Sequence, residues 1–578
     1  MINLNTFFSN PITPAQKQYE AIRAIIVDGL PIDLVAEKFS YSVSTLYSLM
    51  RDARGGKMEL FPSRGIRGPK QRQTPDYICS LILSYRKLDL SCNDIAVRLQ
   101  QEGYKVSKST VSNVIAETQL PRLPRRTNAE RGLTQKNQAI PERSTPLDFS
   151  TLEPFSIDTP TCGIFFFLPY IIESGIIDII KTCGLPESSA IDATQACLSM
   201  LALKLIGNER LSHMDAYDHE PGLGLFAGLN CLPKSTYMAT YSCRTSEKMV
   251  MELQSKIIAQ FRAVFPSFYQ GAFINLDFHS IPHFGTESQM EHVWCGARGK
   301  AMKGANTLLA QDSESNAILY THADILRKDE PAAIKEFVTY WKSITNSLSE
   351  TLVFDCKLTS YAVLDELSAD NVKFITLRKR NKALLTKTLT IKDDEWSKLY
   401  LPIPKRQHKH CRIHESIITL PKCTQSFRQI IIKDHGRANP TFVITNNIDL
   451  PLKEVLIVYA KRWHIENKIA EMVSFFNLNA LSSPLMIRIH FDMLWTVIAD
   501  TLYHRFAQDL PRFEKVRADT VFRKFIDMPG KISFDGQQFK LKIRKHATTP
   551  ILLGVQKLKN NITIPWLDNK QMSIEWTA

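Results

Sequence analysis

The sequence has no Cys-x-x-Cys pair and only 11 cysteines in 578 residues. A sparse, odd and scattered set does not build a disulfide framework, so reduced thiols and a cytoplasmic setting are expected. There is no stretch of about 18 uncharged apolar residues. The nearest approach, Phe165 to Ile180, is interrupted by Glu173 and Asp178, so no membrane span is expected. The opening Met-Ile-Asn-Leu-Asn-Thr lacks the charged-then-apolar order of a secretory signal. No Gly-x-x-x-x-Gly-Lys-Ser/Thr loop points to ATP, and no Gly-x-Ser-x-Gly elbow points to acyl chemistry. The histidines and cysteines between His408 and Cys423 do not have finger spacing, which argues against zinc there.

What is present is apolar residue enough for several cores. Hydrophobic types make up 44% of the chain, which excludes a disordered polypeptide. The length corresponds to roughly three to five domains. Lys and Arg number 72 against 58 Asp and Glu, a net charge of +14, which suggests a polyanionic partner. That charge is uneven. Residues 1–131 hold 19 basic and 12 acidic side chains, so half of the excess sits in under a quarter of the chain.

The same front segment reads as two small helical units. In the first, Gln16 to Asp28 and Asp33 to Phe39 have helical spacing, and Val43 to Arg54 carries Ser44, Thr45, Ser48 and Arg51 beside an apolar face. In the second, Tyr77 to Arg86, Ile95 to Gln101 and Ser107 to Glu117 repeat the order, and the last presents Lys108, Ser109, Ser112 and Asn113. Helix, short helix, tight turn and polar-faced helix is the helix-turn-helix pattern, with paired protein-binding bundles as the alternative. Between the units, Arg64, Arg67, Lys70 and Arg72 lie in a Gly- and Pro-containing stretch whose cations could track phosphates. Residues 119–150 read as a proline-punctuated linker. Residues 151–268 read as mostly helical, a scaffold or dimer surface.

From Ala272 the pattern becomes strand-rich. Ala272 to His279 is an apolar run with Asp277 in its middle, and Thr351 to Cys356 ends on Asp355. Strand signals at Thr307–Ala310 and Ala317–Thr321, with a turn at Gln311 to Ser313, are followed by alternating helix and strand, which fits a mixed sheet. Carboxylates in such runs are unfavourable unless solvated, paired or bound to metal. A third acid lies on a segment read as one helix, Leu452 to Phe475. Tyr459, Arg462 and Glu466 are spaced three and four apart, so they share a face. Glu471 is off that face and reads as surface; Asp365 and Glu366 read as a solvated face. Three carboxylates brought together could hold two divalent ions for phosphodiester chemistry.

With these residues the chain resembles insertion-sequence DDE transposases, in the group whose catalytic helix carries a Tyr-(2)-Arg-(3)-Glu-(6)-Lys signature. Asp277, Asp355, Tyr459, Arg462 and Glu466 match; the last signature position is Val473 instead of lysine. The resemblance covers roughly residues 160 to 510. It implies N-terminal helix-turn-helix units, an α/β RNase H-like catalytic core and an inserted antiparallel β domain. The expected divisions are 1–56 and 75–118 for the two units around a basic linker 57–74, then a linker 119–150 and a helical region 151–268. The core would occupy 269–377 and 451–515 around the insertion 378–450, with a C-terminal region 516–578.

The resemblance further implies Mg²⁺, replaceable by Mn²⁺, held by Asp277, Asp355 and Glu466. It implies double-stranded DNA as partner, both terminal inverted repeats and target, and a homodimer in the synaptic complex, in the nucleoid of a bacterial cytoplasm. Tyr459 and Arg462 would contact DNA or brace the helix. Arg378 and Arg380 in the insertion, with Ser44, Lys108 and the linker cations, would contact DNA as well. Trp396 occupies the insertion, where related enzymes stack an aromatic on a flipped base; a core role is the stronger expectation for it. The competing readings are a catalytically silent DNA-binding regulator and a protein-contact scaffold.

Overall fold

The structure is a computed structural model that describes residues 11, 13–58, 74–88, 90–118, 123, 144–209, 211–217, 219–285, 290–323, 325–358, 360–403, 408–480 and 485–577. The linker cations Arg64, Arg67, Lys70 and Arg72 lie outside the described residues, as does most of 119–143. The chain divides into two compact units, Met1–Lys136 and Asn137–Ala578.

The first unit contains two three-helix groups. In one, Pro14–Ile26, Ile32–Lys38 and Val43–Arg54 enclose Ala21, Ala24, Val35, Ala36 and Leu46. In the other, Asp76–Lys87, Cys92–Gln101 and Lys108–Ala116 enclose Ile78, Ile82, Ile95, Leu99, Val111 and Val114. Four of these six helices start on a side-chain cap. Thr13, Ser42, Ser91 and Ser107 accept a backbone N–H of the first turn, and Ser91 with Asp94 forms a reciprocal capping box. Gly103 turns the chain at φ +89°, a conformation open to glycine.

The second unit opens where a linker was expected. Ser144 is buried and donates to the Cys231 carbonyl, and Phe149 packs edge-on against Phe534 and Phe539. Residues 144–150 thus belong to the body. Next comes β1 (Phe155–Thr159), then an apolar run in which Phe165, Phe166 and Phe167 are fully buried. Burying each such ring contributes about 1.5–3 kcal/mol. The helices Leu168–Ser174 and Ile176–Thr182 meet at Gly175, at φ +67°, which breaks the apolar run into two helices. No single described helix is long and apolar enough to cross a membrane; this bent pair passes by length and composition together, and its apolar side chains are packed in the core. The helix Ala193–Leu205 is buried at every position, which makes it interior scaffold and removes it as a dimer surface.

A large mixed sheet follows. Its strands are β2 (Phe273–Pro282), β3 (His292–Cys295), β4 (Lys300–Asp312), β5 (Ile318–His322), β6 (Thr351–Phe354), β7 (Phe374–Leu377), β8 (Ser397–Tyr400), β9 (His410–Thr419), β10 (Ser426–Lys433) and β11 (Thr441–Thr445). The order is β3-β4-β2-β6-β7-β11-β10-β9-β8, with β5 also on β4. β2 pairs antiparallel with β4 and parallel with β6, and β6 pairs parallel with β7. Asp312 ends β4 and accepts the N–H groups of Glu314 and Ser315, so the turn lies two residues later than the spacing suggested.

One expectation changes here. The β-rich segment 378–450 makes no sheet of its own: β11 pairs antiparallel with β7, and β10, β9 and β8 extend the same sheet outward. The cause is the apolar, β-branched faces of β10 and β11, which bury against the sheet and the helix Leu452–Lys461. The C-terminal region joins the same body. β12 (Gly530–Phe534), β13 (Gln538–Arg544), β14 (Ile562–Ile564) and β15 (Lys570–Thr577) join β1 in a second sheet, order β1-β12-β13-β15-β14.

Candidate active site

The register of the central strands brings two acids side by side. Leu276 of β2 faces Phe354 of β6 across a parallel pairing, so Asp277 and Asp355 are the next residues at adjacent positions. Each steadies itself locally. Asp277 Oδ1 accepts the Phe278 N–H at 3.0 Å, and Asp355 Oδ1 accepts the Cys356 N–H at 2.6 Å.

Glu466 reaches them from a helix that is not continuous. Leu452–Lys461 and Trp463–Ser474 are separated at Arg462. There the Arg462 N–H goes to the Tyr459 carbonyl and the Ile465 N–H to the Arg462 carbonyl, a tightened turn inside what the spacing suggested was one helix. Arg462 is the hinge of the site in a chemical sense too. Its Nη1 donates to Asp277 Oδ2 at 3.1 Å and its Nη2 to Glu466 Oε1 at 2.9 Å. One planar guanidinium therefore joins an acid of the sheet to an acid of the helix.

All four groups line one cavity of 1170 Å³, together with Lys357, Lys379, Arg380, His292 and Trp294. A smaller one of 560 Å³ shares Asp355, Arg462 and Glu466, and adds Tyr459, His435 and Arg437. The acids thus face the same space, but they do not form a tight cluster. Among the described residues, the groups with ligand atoms within 4.8 Å of one another are Glu247/His322/His490 and Glu471/Asp500/His504. The arginine between Asp277 and Glu466 accounts for the difference from three converging carboxylates.

Burial sets the protonation of the site. Removal from water raises the Asp277 carboxyl to about 6; Arg462 pulls it down and Glu466 pushes it up. Burial likewise raises the Tyr459 hydroxyl, which stays protonated. Burial opposes the charge on Arg462, yet Asp277, Tyr459, Glu466 and Asp355 hold it above its ordinary value. A buried carboxylate with oxygen-donor neighbours needs cationic compensation, and hard oxygen ligands in a polar cavity suit Mg²⁺ or Mn²⁺. By donor type the three acids suit such an ion, but here Arg462 holds Asp277 and Glu466, and the acids are not at ligand spacing among the described residues.

The remaining sequence-selected residues are scattered. Ser44 and Lys108 are exposed on the first turn of the third helix of their groups. Arg378 is half-buried and donates to Gln429 Oε1 at 2.7 Å, which ties it to the sheet, whereas Arg380 is exposed at the cavity. Trp396 is buried, with the Lys433 ammonium 3.6 Å from its ring centroid. Val473 packs against the main core, an apolar environment that accounts for the absence of lysine there. Lys468 and Glu471 are both buried; Glu471 was expected at the surface. The Lys468 ammonium lies 2.6 Å from Asp500 and 3.4 Å from Glu471, and Glu471 Oε1 accepts the Ala518 N–H at 2.7 Å. Asp365 is likewise partnered, accepting N–H groups of Thr424 and Gln425.

Sequence reasoning passed over His279 and Trp294. His279 is two residues beyond Asp277 on the same face of β2, lines the cavity and bonds Asn479 at 2.8 Å. The period of two along the strand could have found it. Trp294 is 63% exposed on β3 at the cavity, and nothing in its local sequence marks it.

Comparison with known families bears on this arrangement. Residues 275–502 match the family described as Transposase DDE domain. The matched segment includes Asp277, Asp355 and Glu466, so the match spans the carboxylate cavity. No curated protein shows significant similarity to the chain. Among solved structures, the piggyBac transposase synaptic complex with hairpin DNA aligns at TM-score 0.32 and 10% identity, over 62% of this chain and 78% of that one. The Mos1 transposase paired-end complex with left transposon end aligns at TM-score 0.15 and 9% identity, over 63% and 77%. The Mos1 mariner paired-end complex with Mn gives 0.15 and 10%, over 63% and 77%. Scores this low carry no argument about this chain.

Proposed function

We propose that this chain is a DNA transposase that cuts at the ends of a mobile element and joins them to target DNA. The observation that carries this reading is the cavity in which Asp277 and Asp355, at the ends of neighbouring parallel strands, face Glu466 across Arg462, all within a DDE domain. The strand order supports an RNase H-like core, with β5, β4 and β2 antiparallel and β6 and β7 parallel to β2.

The reaction class is phosphodiester hydrolysis that frees a 3′-OH, then transesterification by that hydroxyl into target DNA. Asp277, Asp355 and Glu466 would hold Mg²⁺, or Mn²⁺ in its place. Divalent ions held there supply activation of the attacking oxygen and charge neutralisation at the leaving oxygen. Arg462 fixes the relative position of Asp277 and Glu466 and keeps Asp277 charged near neutral pH. Tyr459, protonated, can donate to a phosphate oxygen. Arg380, Lys357 and Lys379 add positive charge along the cavity for a DNA backbone.

The two three-helix groups are read as helix-turn-helix units that bind the terminal repeats, with Ser44 and Lys108 at the DNA and Arg64, Arg67, Lys70 and Arg72 on phosphates between them. Arg378 is a weaker candidate than Arg380 because Gln429 engages it. Pairing of two element ends calls for a homodimer, acting in the bacterial nucleoid.

Asp277→Asn tests the assignment. The variant should bind end-containing duplex as the parent does and lose Mg²⁺-dependent strand cleavage on a labelled oligonucleotide. Undiminished cleavage would overturn it. A parent protein that binds ends but never nicks them under Mg²⁺ or Mn²⁺ would favour the silent regulator.

A further inference from the structure

Away from the carboxylate cavity, three potential ligands meet where three elements converge. Glu247 begins the helix Glu247–Val264, His322 closes β5, and His490 lies near the start of the helix Met486–Gln508. One ligand atom from each lies within 4.8 Å of the others. His322 Nε2 is 3.1 Å from Glu247 Oε1. Donors on a tetrahedral zinc ion, at about 2.0–2.1 Å from the metal, stand roughly 3.3 Å apart, so this pair is already near ligand spacing.

The second observation is an unpaired nitrogen. His490 is 3% exposed, and its Nε2 is buried without a hydrogen-bond partner. A buried imidazole nitrogen in that state is unfavourable unless something fills its lone pair. His490 has a backbone hydrogen bond with Thr321, an outer contact that orients its ring and leaves Nε2 to bind. His322 Nδ1 lies 3.6 Å from Glu336 Oε2, with no hydrogen bond formed. The two ring centroids are 5.2 Å apart.

We propose that Glu247, His322 and His490 form a zinc site that ties the helical region to the sheet and to the long helix after the catalytic one. Two imidazoles and one carboxylate are a donor set suited to zinc and poorly suited to Mg²⁺, which prefers oxygen alone. Glu247 is the exposed member, so the fourth position opens to solvent on its side.

The test uses the full-length chain carrying Asp277→Asn and Glu466→Gln, so that the carboxylate cavity contributes little and the result stands apart from the transposase reading. The protein is stripped with chelator, titrated with Zn²⁺ alone, desalted and assayed for zinc per chain. The expected result is one retained zinc, and intense visible absorption of four-coordinate Co²⁺ when cobalt replaces it. Glu247→Gln is exposed and close in shape, so the fold is kept; it should weaken zinc binding at least about tenfold, and His322→Ala should abolish retention. No retained zinc, or equal retention by both variants, would overturn the proposal.

Discussion

Arg462 decides how the acids of the cavity behave. Its two Nη groups serve Asp277 and Glu466 separately, which a lysine ammonium on a flexible stem cannot reproduce. Arg462→Lys keeps the charge and loses the fork, so strand cleavage should fall at least about tenfold while the far-ultraviolet spectrum is unchanged. Asp277 carries a pH signature of its own. In the folded chain its carboxyl holds a proton up to about 6, against an ordinary value of 3.8. The native state therefore binds more protons than the unfolded state between those values, and the stability of the metal-free protein falls as pH rises through that window. The drop is at most about 3 kcal/mol at 1.36 kcal/mol per unit. Urea unfolding from pH 3.5 to 6.5 should be flatter for Asp277→Asn than for the parent, and divalent metal should stabilise the parent more at pH 7 than at pH 5.

At the scale of elements, the helix that bears Glu466 is anchored from beneath. Lys468, two residues on, is buried against Asp500, Glu471 and His504, and Glu471 caps the backbone at Ala518. Burial alone would raise the Asp500 carboxyl; Lys468 and His504 hold it below its ordinary value instead. Removing the cation leaves two carboxylates buried without compensation, so Lys468→Ala should cost about 3–5 kcal/mol in denaturant unfolding. A loss under 1 kcal/mol would show that the network is dispensable. Nothing in the local sequence marks Lys468 as an anchor. Its spacing from Glu466 says nothing of Asp500, which comes from the next long helix.

For the whole molecule, the ends of the body close on each other. β1 pairs with β12 in the register Phe155↔Phe534, and Phe149 packs on the rings of Phe534 and Phe539. The Trp566 indole N–H donates to the Phe226 carbonyl at 2.8 Å, and Lys557 pairs with Glu173. A chain ended at Lys515 loses β12 to β15 and leaves β1 an unpaired edge over exposed aromatics. That truncation should aggregate on expression; a soluble, cooperatively melting product would contradict the closure described. Removal of the first unit should be milder, because its two three-helix groups have cores of their own.

The sequence by itself determined the local terms. Helix starts at Ser42, Ser91 and Ser107, the acid in the middle of β2, the acid at the end of β6, and the three-and-four spacing of Tyr459, Arg462 and Glu466 are matters of capping and period, which act over a few residues. Tertiary structure decided the rest. Which acid Arg462 would bind, whether 397–445 would make its own sheet or extend the first, and whether Glu471 would face water all depend on partners far along the chain. Asp277 is 185 positions from Arg462, and β1 is separated from β12 by almost the whole body. Periodicity marks a face as apolar or polar, but burial and charge compensation choose what that face meets.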